Sequence, residues 1–520
     1  MTLTASPTTT AAVDQAVFDD LAATTADTWL TTTDHRRVGS LLMGAVLGVA
    51  VVGAALSGLL GQKIDAAIGG RLSGATWLGS DSTGALSFNR LFSAHGMGMV
   101  YLVIVPLFLA LATIAVPAQI GSARMAFPRL QAFVLWGYLM GAALYVTSFV
   151  IGDGPPVFDV FLKDPLTGAT KANRATDMLL GSLMLLAVVT IAGAINIVTT
   201  VLTQRRAGLT MDAVRPFTWS AFITSGITLI TTPVFLAGLF LVYIDQHFGG
   251  GLFNGAGGPR IWVHTVWLFG RPDAYLLLLP ALGIASEIVS ARAGKPLVGG
   301  PAGKHLLTAF GVLSLAAWTG GSELAGAVIQ PTSRWQTGLI ALPAALLVLV
   351  WLGTLAQGVK PDVTLLYVAG FVIVAGLCAV NVIVAAIRGL TDPSAQIAWQ
   401  VGQTRALLVG APLIALLGGV VEFSPIAFGR KLMQGLSGLA GLAVLGGVVL
   451  LGAAISGLGY QSAFDAPNDF LSIVALIGGL LVTGGIGLLI LNLLASTVGG
   501  KGALAGDARM SDPASSEVTA

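Results

Sequence analysis

The sequence predicts an all-α, polytopic membrane bundle of about twelve transmembrane helices, and three observations support this fold class. Of the 520 residues, 55% are apolar and only 10% are charged, whereas about 25% are charged in a soluble globular protein. The mean hydropathy is +0.87. Apolar runs long enough to cross a bilayer recur along the chain. These properties exclude a soluble enzyme, a disordered chain and a nucleic-acid-binding protein, and they make membrane lipid the expected surroundings.

The apolar runs are predicted to form one membrane domain, 31–498, between two polar tails, 1–30 and 499–520, which are expected to be disordered. The runs lie at 38–62, 90–116, 130–152, 178–202, 217–244, 261–289, 306–328, 336–356, 364–388, 401–422, 436–458 and 469–496. An even number of spans places both termini on the same side of the membrane.

The distribution of Lys and Arg predicts which side that is. The side of the two termini has 15 of the 26 cations and the opposite side has 9, while Arg271 and Arg405 fall within spans. Because cytoplasmic loops carry an excess of cations, we expect a multi-pass protein of the cell membrane with both termini in the cytoplasm. The net charge of +2 gives the chain no strong attraction to nucleic acid.

Five charged residues fall inside or close to the predicted spans, namely Arg271, Asp273, Glu323, Arg405 and Glu422. A charge in the membrane costs several kcal/mol unless it is paired, so each is a candidate functional residue. Three interpretations stay open. The charges form buried ion pairs that lock the bundle, they form a path for protons or ions, or the span ends are misplaced.

Histidine and cysteine are scarce. The single Cys378 excludes an internal disulfide and a thiolate cluster. Of five histidines, His95 alone lies well inside a predicted apolar span, in Phe92–Met97. A single histidine in such a span is either a hydrogen-bonded core residue or a ligand, and composition leaves both open.

Several motifs, in order and with matching spacing, resemble one known family. They are Thr31–Gly39, Phe88–Gly96, Pro117–Gly121, Met125–Leu130, Trp219–Asp245, Gly255–Pro259 and Trp267–Pro280. These segments are similar to subunit I of the haem-copper terminal oxidases, the catalytic subunit of cytochrome c oxidase. The resemblance runs from about Thr31 to Leu494 and implies a twelve-helix membrane fold.

The metal ligands that the resemblance implies are mostly replaced. The family's two haems and one copper need six histidines, whereas this chain has five, and only His95 falls on a ligand position. The copper position before Pro272 is Arg271, whose guanidinium has no lone pair to offer. The paired copper histidines are replaced by Gly320 and Gly321. The segment Gln396–Arg405, which would carry a ligand for each haem, contains no His, Cys or Met.

The family's proton routes are altered as well. Arg124 stands in place of the proton-uptake aspartate, and Leu347 in place of the lysine of the second route. The loop 459–465 lacks the arginine pair that holds haem propionates. Two positions are kept or nearly kept: Tyr275 matches the family's crosslinked tyrosine, and Asp273 replaces a glutamate.

These losses favour a non-catalytic homologue with a structural, assembly or regulatory role in a respiratory-type membrane complex, beside other membrane subunits. Copper is not expected, haem is expected to be absent, and intrinsic oxygen reduction is not expected. In this hypothesis Arg271 fills the copper position and Glu323 or Asp273 neutralises it. One alternative is a redox subunit that holds a single haem at His95 and transfers electrons. A second is ion or proton conduction along Arg271, Asp273, Glu323 and Arg405.

Overall fold

The computed structural model describes residues 31–68, 94–151, 174–248, 277–315, 331–388, 407–462 and 469–499. Besides a short 3₁₀-helix, Met211–Ala213, the chain forms twelve helices within these ranges. They are α1 (His35–Ile68), α2 (Ala94–Ile120), α3 (Pro128–Val150), α4 (Arg174–Thr203), α5 (Pro216–Phe248), α6 (Leu278–Ala293), α7 (Ala302–Ser314), α8 (Pro331–Leu355), α9 (Thr364–Arg388), α10 (Val409–Phe428), α11 (Gln434–Ser462) and α12 (Asp469–Gly499). Each predicted apolar run overlaps one of these helices, which confirms the all-α prediction.

Eight of the helices within the described ranges are long and apolar enough to cross a membrane, namely α1 to α5 and α10 to α12. Helices α8 and α9 contribute shorter apolar stretches, Leu339–Leu355 and Thr364–Val380. Helices α6 and α7 adjoin the segments 249–276 and 316–330, which lie outside the described residues. The predicted tails also lie outside them, apart from residue 499, so the domain limits stay predictions.

Helix α2 lies at the centre of the bundle. Its most apolar stretch is 89% buried, compared with 39% for that of α12. A helix that is apolar on every side is stable only when other helices or lipid cover it, and α2 packs against α1, α4, α5 and α10. Between its first turn and Val105, α2 widens into a π-helical segment, Met99–Ile104.

Glycines allow α1, α11 and α12 to pack backbone against backbone. A Cβ atom at Gly479 would lie 2.2 Å from the Cα of Gly58, and one at Gly447 would lie 2.6 Å from the Gly478 carbonyl oxygen. Such close contact is typical of membrane helices, whose interfaces favour small residues because lipid supplies no hydrophobic drive for helix association.

At one end of the bundle the odd-numbered helices begin and the even-numbered helices end. Main-chain hydrogen bonds join neighbouring segments there, from Arg206 N–H to the Ile120 carbonyl (3.0 Å) and from Lys360 N–H to the Arg292 carbonyl (2.8 Å). We call this the basic end, because it carries Arg36, Arg37, Arg124, Arg129, Arg205, Arg206, Arg215, Arg292, Lys295, Lys304, Lys360, Arg430 and Lys431. The opposite end, where α2 begins, is the His95 end.

Candidate functional site

A buried ion pair joins α5 and α6 at the basic end. Glu287, on α6, is 1% exposed. Its Oε1 lies 2.5 Å from both Nε and Nη2 of Arg215, the residue just before α5. Its other oxygen accepts the Phe217 N–H at 3.3 Å. The Glu287 carboxylate raises the pKa of the Arg215 guanidinium above its ordinary value, which secures the positive charge that pairs with this carboxylate.

A second cluster surrounds Arg292 in the last turn of α6. Its Nη2 donates to Oε2 of Glu422 on α10 at 2.5 Å, and its Nη1 lies 3.3 Å from Oδ2 of Asp362. Asp362 also caps α9, because its Oδ1 accepts both the N–H (3.0 Å) and the hydroxyl (2.9 Å) of Thr364. One guanidinium thereby connects α6 with α10 and with the start of α9.

Helix α7 is attached to α5 beside these clusters. The ammonium of Lys304 donates to the Asp212 carbonyl and lies 5.7 Å from the centroid of the Trp219 ring. The indole N–H of Trp219 donates to Thr308 at 3.0 Å. The basic end therefore has a continuous set of ionic and polar contacts that spans α5, α6, α7, α9 and α10.

His95 lies in the first turn of α2 at the opposite end and is half-buried. The adjacent Ala94 carbonyl accepts the Tyr145 hydroxyl of α3 at 2.6 Å. The Tyr145 ring lies beside Gly98, with 3.7 Å from the nearest ring atom to an ideal Cβ there. The ring centroids of Tyr145 and Phe149 are 5.3 Å apart. An aromatic pair on α3 therefore supports the turn that carries His95.

Close helix contacts restrict the space around this end of α2. A Cβ at Gly53 of α1 would lie 2.7 Å from Sδ of Met99, one turn after His95. Further along α1, Gly58 meets Gly479 of α12. An open cleft of about 690 Å³ lies instead near the basic end, lined by Thr33, Ala126, Phe127, Pro128, Arg129, Leu130 and Ile195.

Most of the residues singled out from the sequence lie outside the described residues. They are Arg271, Asp273, Tyr275, Gly320, Gly321, Glu323 and Arg405. The proposed charge network among them stays a prediction. Glu422 is described, and its partner is Arg292, which lies three residues beyond the predicted span 261–289.

Glu287 is a functional candidate that sequence reasoning missed. It is absent from the five charges predicted in or near the spans, although the predicted span 261–289 contains it. An acidic residue within an apolar run was the available signal. Its partner could not be identified in the same way, because Arg215 lies 72 residues earlier in the chain.

A family model described as "Cytochrome C and Quinol oxidase polypeptide I" matches residues 37–484. The chain belongs to this family. It is 32% identical over 348 residues to the probable cytochrome c oxidase subunit 1-alpha of Streptomyces avermitilis, covering 66% of this chain and 58% of that protein. It is 30% identical over 407 residues to the putative subunit 1-beta of Streptomyces coelicolor, covering 78% and 69%. Cytochrome c oxidase subunit 1 of Corynebacterium glutamicum is 33% identical over 334 residues, covering 64% and 55%.

The residues that the resemblance places at the family's copper site are not copper ligands by their chemistry. The resemblance implies that Arg271, Gly320 and Gly321 stand at the copper position, and neither residue type offers a lone pair on its side chain. Within the described ranges, no group of three or more His, Cys, Asp or Glu residues is arranged to hold a metal ion.

Proposed function

We propose that this chain is a non-catalytic member of the cytochrome c oxidase subunit I family, with a structural, assembly or regulatory role in an oxidase-like membrane complex. One observation carries the proposal. The chain has five histidines for a family ligand set of six, and the copper positions are Arg271, Gly320 and Gly321. Without a copper ligand the family's oxygen chemistry has no centre at which to occur.

The contacts at the basic end support a scaffold role. Arg215 and Arg292 each connect separate helices through carboxylates that are largely buried, and such pairs need no metal to hold the bundle. The relatives are named as subunits of cytochrome c oxidase. We extend this to propose membrane partner subunits for this chain, with both termini in the cytoplasm at the basic end, in accord with the excess of cations there.

An optical test decides whether the chain carries haem. The protein is purified from haem-replete cells, reduced with dithionite, and assayed by pyridine haemochrome and by oxygen uptake. We expect a flat visible spectrum, no oxygen uptake, and copurification with other membrane proteins. Oxygen reduction by the purified chain would overturn the proposal.

The alternative is a redox subunit with one haem at His95. The observation in its favour is the position of His95, half-buried in the first turn of α2 above an aromatic support. It predicts a reduced haem band at about one haem per chain that is lost in His95→Ala. The matched control is His305→Ala, a change on α7 at the basic end, which would leave the band intact.

Conduction through Arg271, Asp273, Glu323 and Arg405 rests on residues outside the described ranges and stays a prediction.

A further inference from the structure

A column of buried hydroxyl groups follows one face of α5. Its members recur at seven-residue intervals, at 218, 225 and 232 in one row and at 224 and 231 in a neighbouring row, with 228 between them. All are at most 2% exposed: Thr218, Thr224, Ser225, Thr228, Thr231 and Thr232. This spacing places them on one side of a helix with 3.6 residues per turn. We call this set the hydroxyl column.

Four of these hydroxyls have no hydrogen-bond partner among the described residues, namely those of Thr224, Ser225, Thr231 and Thr232. Elsewhere in the bundle buried threonines donate to the carbonyl four residues earlier, as Thr113 and Thr190 do at 2.7 and 2.8 Å. Thr228 in the column does the same at 2.8 Å. Because buried polar groups are almost always hydrogen-bonded, four orphan hydroxyls on one face indicate a partner that is not part of the described chain.

The column faces α2. At the basic end Thr218 donates to Oε1 of Gln119 on α2 at 2.6 Å. Towards the His95 end Phe235 stacks on Tyr101 of α2, with ring centroids 5.5 Å apart and planes 6° from parallel. The orphan hydroxyls lie between these two contacts. Helix α5 packs against α4 and α6 more extensively than against α2, and the π-helical segment of α2 begins at the level of the stacked rings.

We propose that the hydroxyl column binds ordered water molecules where α5 faces α2. Buried water characteristically makes about three hydrogen bonds to polar groups that would otherwise be unsatisfied. Each hydroxyl offers one donor and two acceptor sites, so adjacent members of the column can share one water. The proposal does not depend on the scaffold role, since it concerns hydroxyls that belong to no family ligand position.

Radiolytic hydroxyl-radical footprinting of the full-length protein in detergent tests this, because radicals form from water already bound inside the protein. The reporter is Phe235, which is 1% exposed, and the control is Phe371 on α9, which is 3% exposed and also packs on an aromatic ring. We expect Phe235 to be oxidised several-fold faster than Phe371. Equal rates for the two rings would overturn the proposal.

A variant then assigns the water to the column. The double change Thr231→Val and Thr232→Val keeps side-chain shape but removes two orphan hydroxyls. We expect it to reduce Phe235 oxidation several-fold and to lower the unfolding temperature. The matched control is Thr190→Val, which removes a hydroxyl that donates to the Leu186 carbonyl and should leave Phe235 oxidation unchanged. A double variant that unfolds at a higher temperature, with unchanged Phe235 oxidation, would show a dry column and contradict the proposal. If the double variant fails to fold, the comparison of Phe235 with Phe371 in the wild-type protein still tests the proposal.

Discussion

The two ends of the bundle are held together by different forces. At the basic end, Arg215 and Arg292 pair with carboxylates on other helices, and Glu287 is 1% exposed. At the His95 end, the contacts include a tyrosine hydrogen bond to the Ala94 carbonyl, a partly exposed His247–Asp177 contact, and close glycine packing. His95 lies at this second end, whereas the buried Arg215–Glu287 and Arg292–Glu422 pairs lie at the basic end.

The largest expected effect is that of Arg215→Leu, which leaves the Glu287 carboxylate buried and unpaired. Breaking a buried pair in this way costs about 3–5 kcal/mol. The measurement is the free energy of unfolding in mixed micelles. The matched control is Arg37→Leu, since Arg37 is 60% exposed and lies 3.9 Å from Asp34. We expect little change in the control and partial recovery in the double variant Arg215→Leu, Glu287→Leu. Equal stability of the two single variants would refute the buried-pair account.

A smaller loss of stability is expected for Arg292→Lys, which keeps the positive charge but removes the branched guanidinium group. Arg292 reaches Glu422 and Asp362 through different nitrogens, and a lysine has only one. Loss of a hydrogen bond to a charged group costs about 1.5–3 kcal/mol. We expect hydrogen exchange at the start of α9 to rise as well, because Asp362 caps that helix. Arg37→Lys serves as the control. If hydrogen exchange in α9 of the Arg292→Lys variant stayed at the wild-type rate, that result would contradict the bridging role of Arg292.

The glycine contact towards the His95 end gives a test that involves no charge. Gly479→Val would force a side chain into the backbone of α1 at Gly58, and overpacking of this kind costs about 1–3 kcal/mol. Gly484→Val, on the same helix, is the matched control, because an added Cβ there meets nothing within 4 Å. Thermal unfolding of the two variants should separate clearly, and similar unfolding temperatures would count against close packing of α1 and α12.

The fold was predictable because apolar length dominates membrane folding. The run predicted at 217–244 became α5, Pro216–Phe248, and the run at 364–388 became α9 with the same bounds. The length of an apolar run can be read directly from the sequence. A helix that crosses a bilayer needs about 20 such residues and satisfies its own backbone hydrogen bonds. In α5 the helix extends beyond the predicted run by one residue at its start and four at its end.

The ion pairs were harder to predict because each partner lies far away in the sequence. Glu422 ends the predicted span 401–422, yet its partner Arg292 lies 130 residues earlier and outside the predicted span 261–289. Glu287 was missed, although it is more deeply buried than Glu422. The hydroxyl column could not be predicted from the sequence either, because threonine and serine are nearly neutral in hydropathy and leave an apolar run uninterrupted.

The smallest expected effect is that of His247→Ala at the His95 end. His247 Nε2 lies 2.8 Å from Oδ1 of Asp177, but the two side chains are 30% and 33% exposed. Solvent screens such a pair, so we expect a loss of only about 0–1 kcal/mol in the free energy of unfolding. Asp177→Ala should give a similar small loss, and the double variant should be no less stable than either single one. A loss as large as that of Arg215→Leu would mean that the His95 end also depends on charge, and the contrast between the two ends would no longer hold.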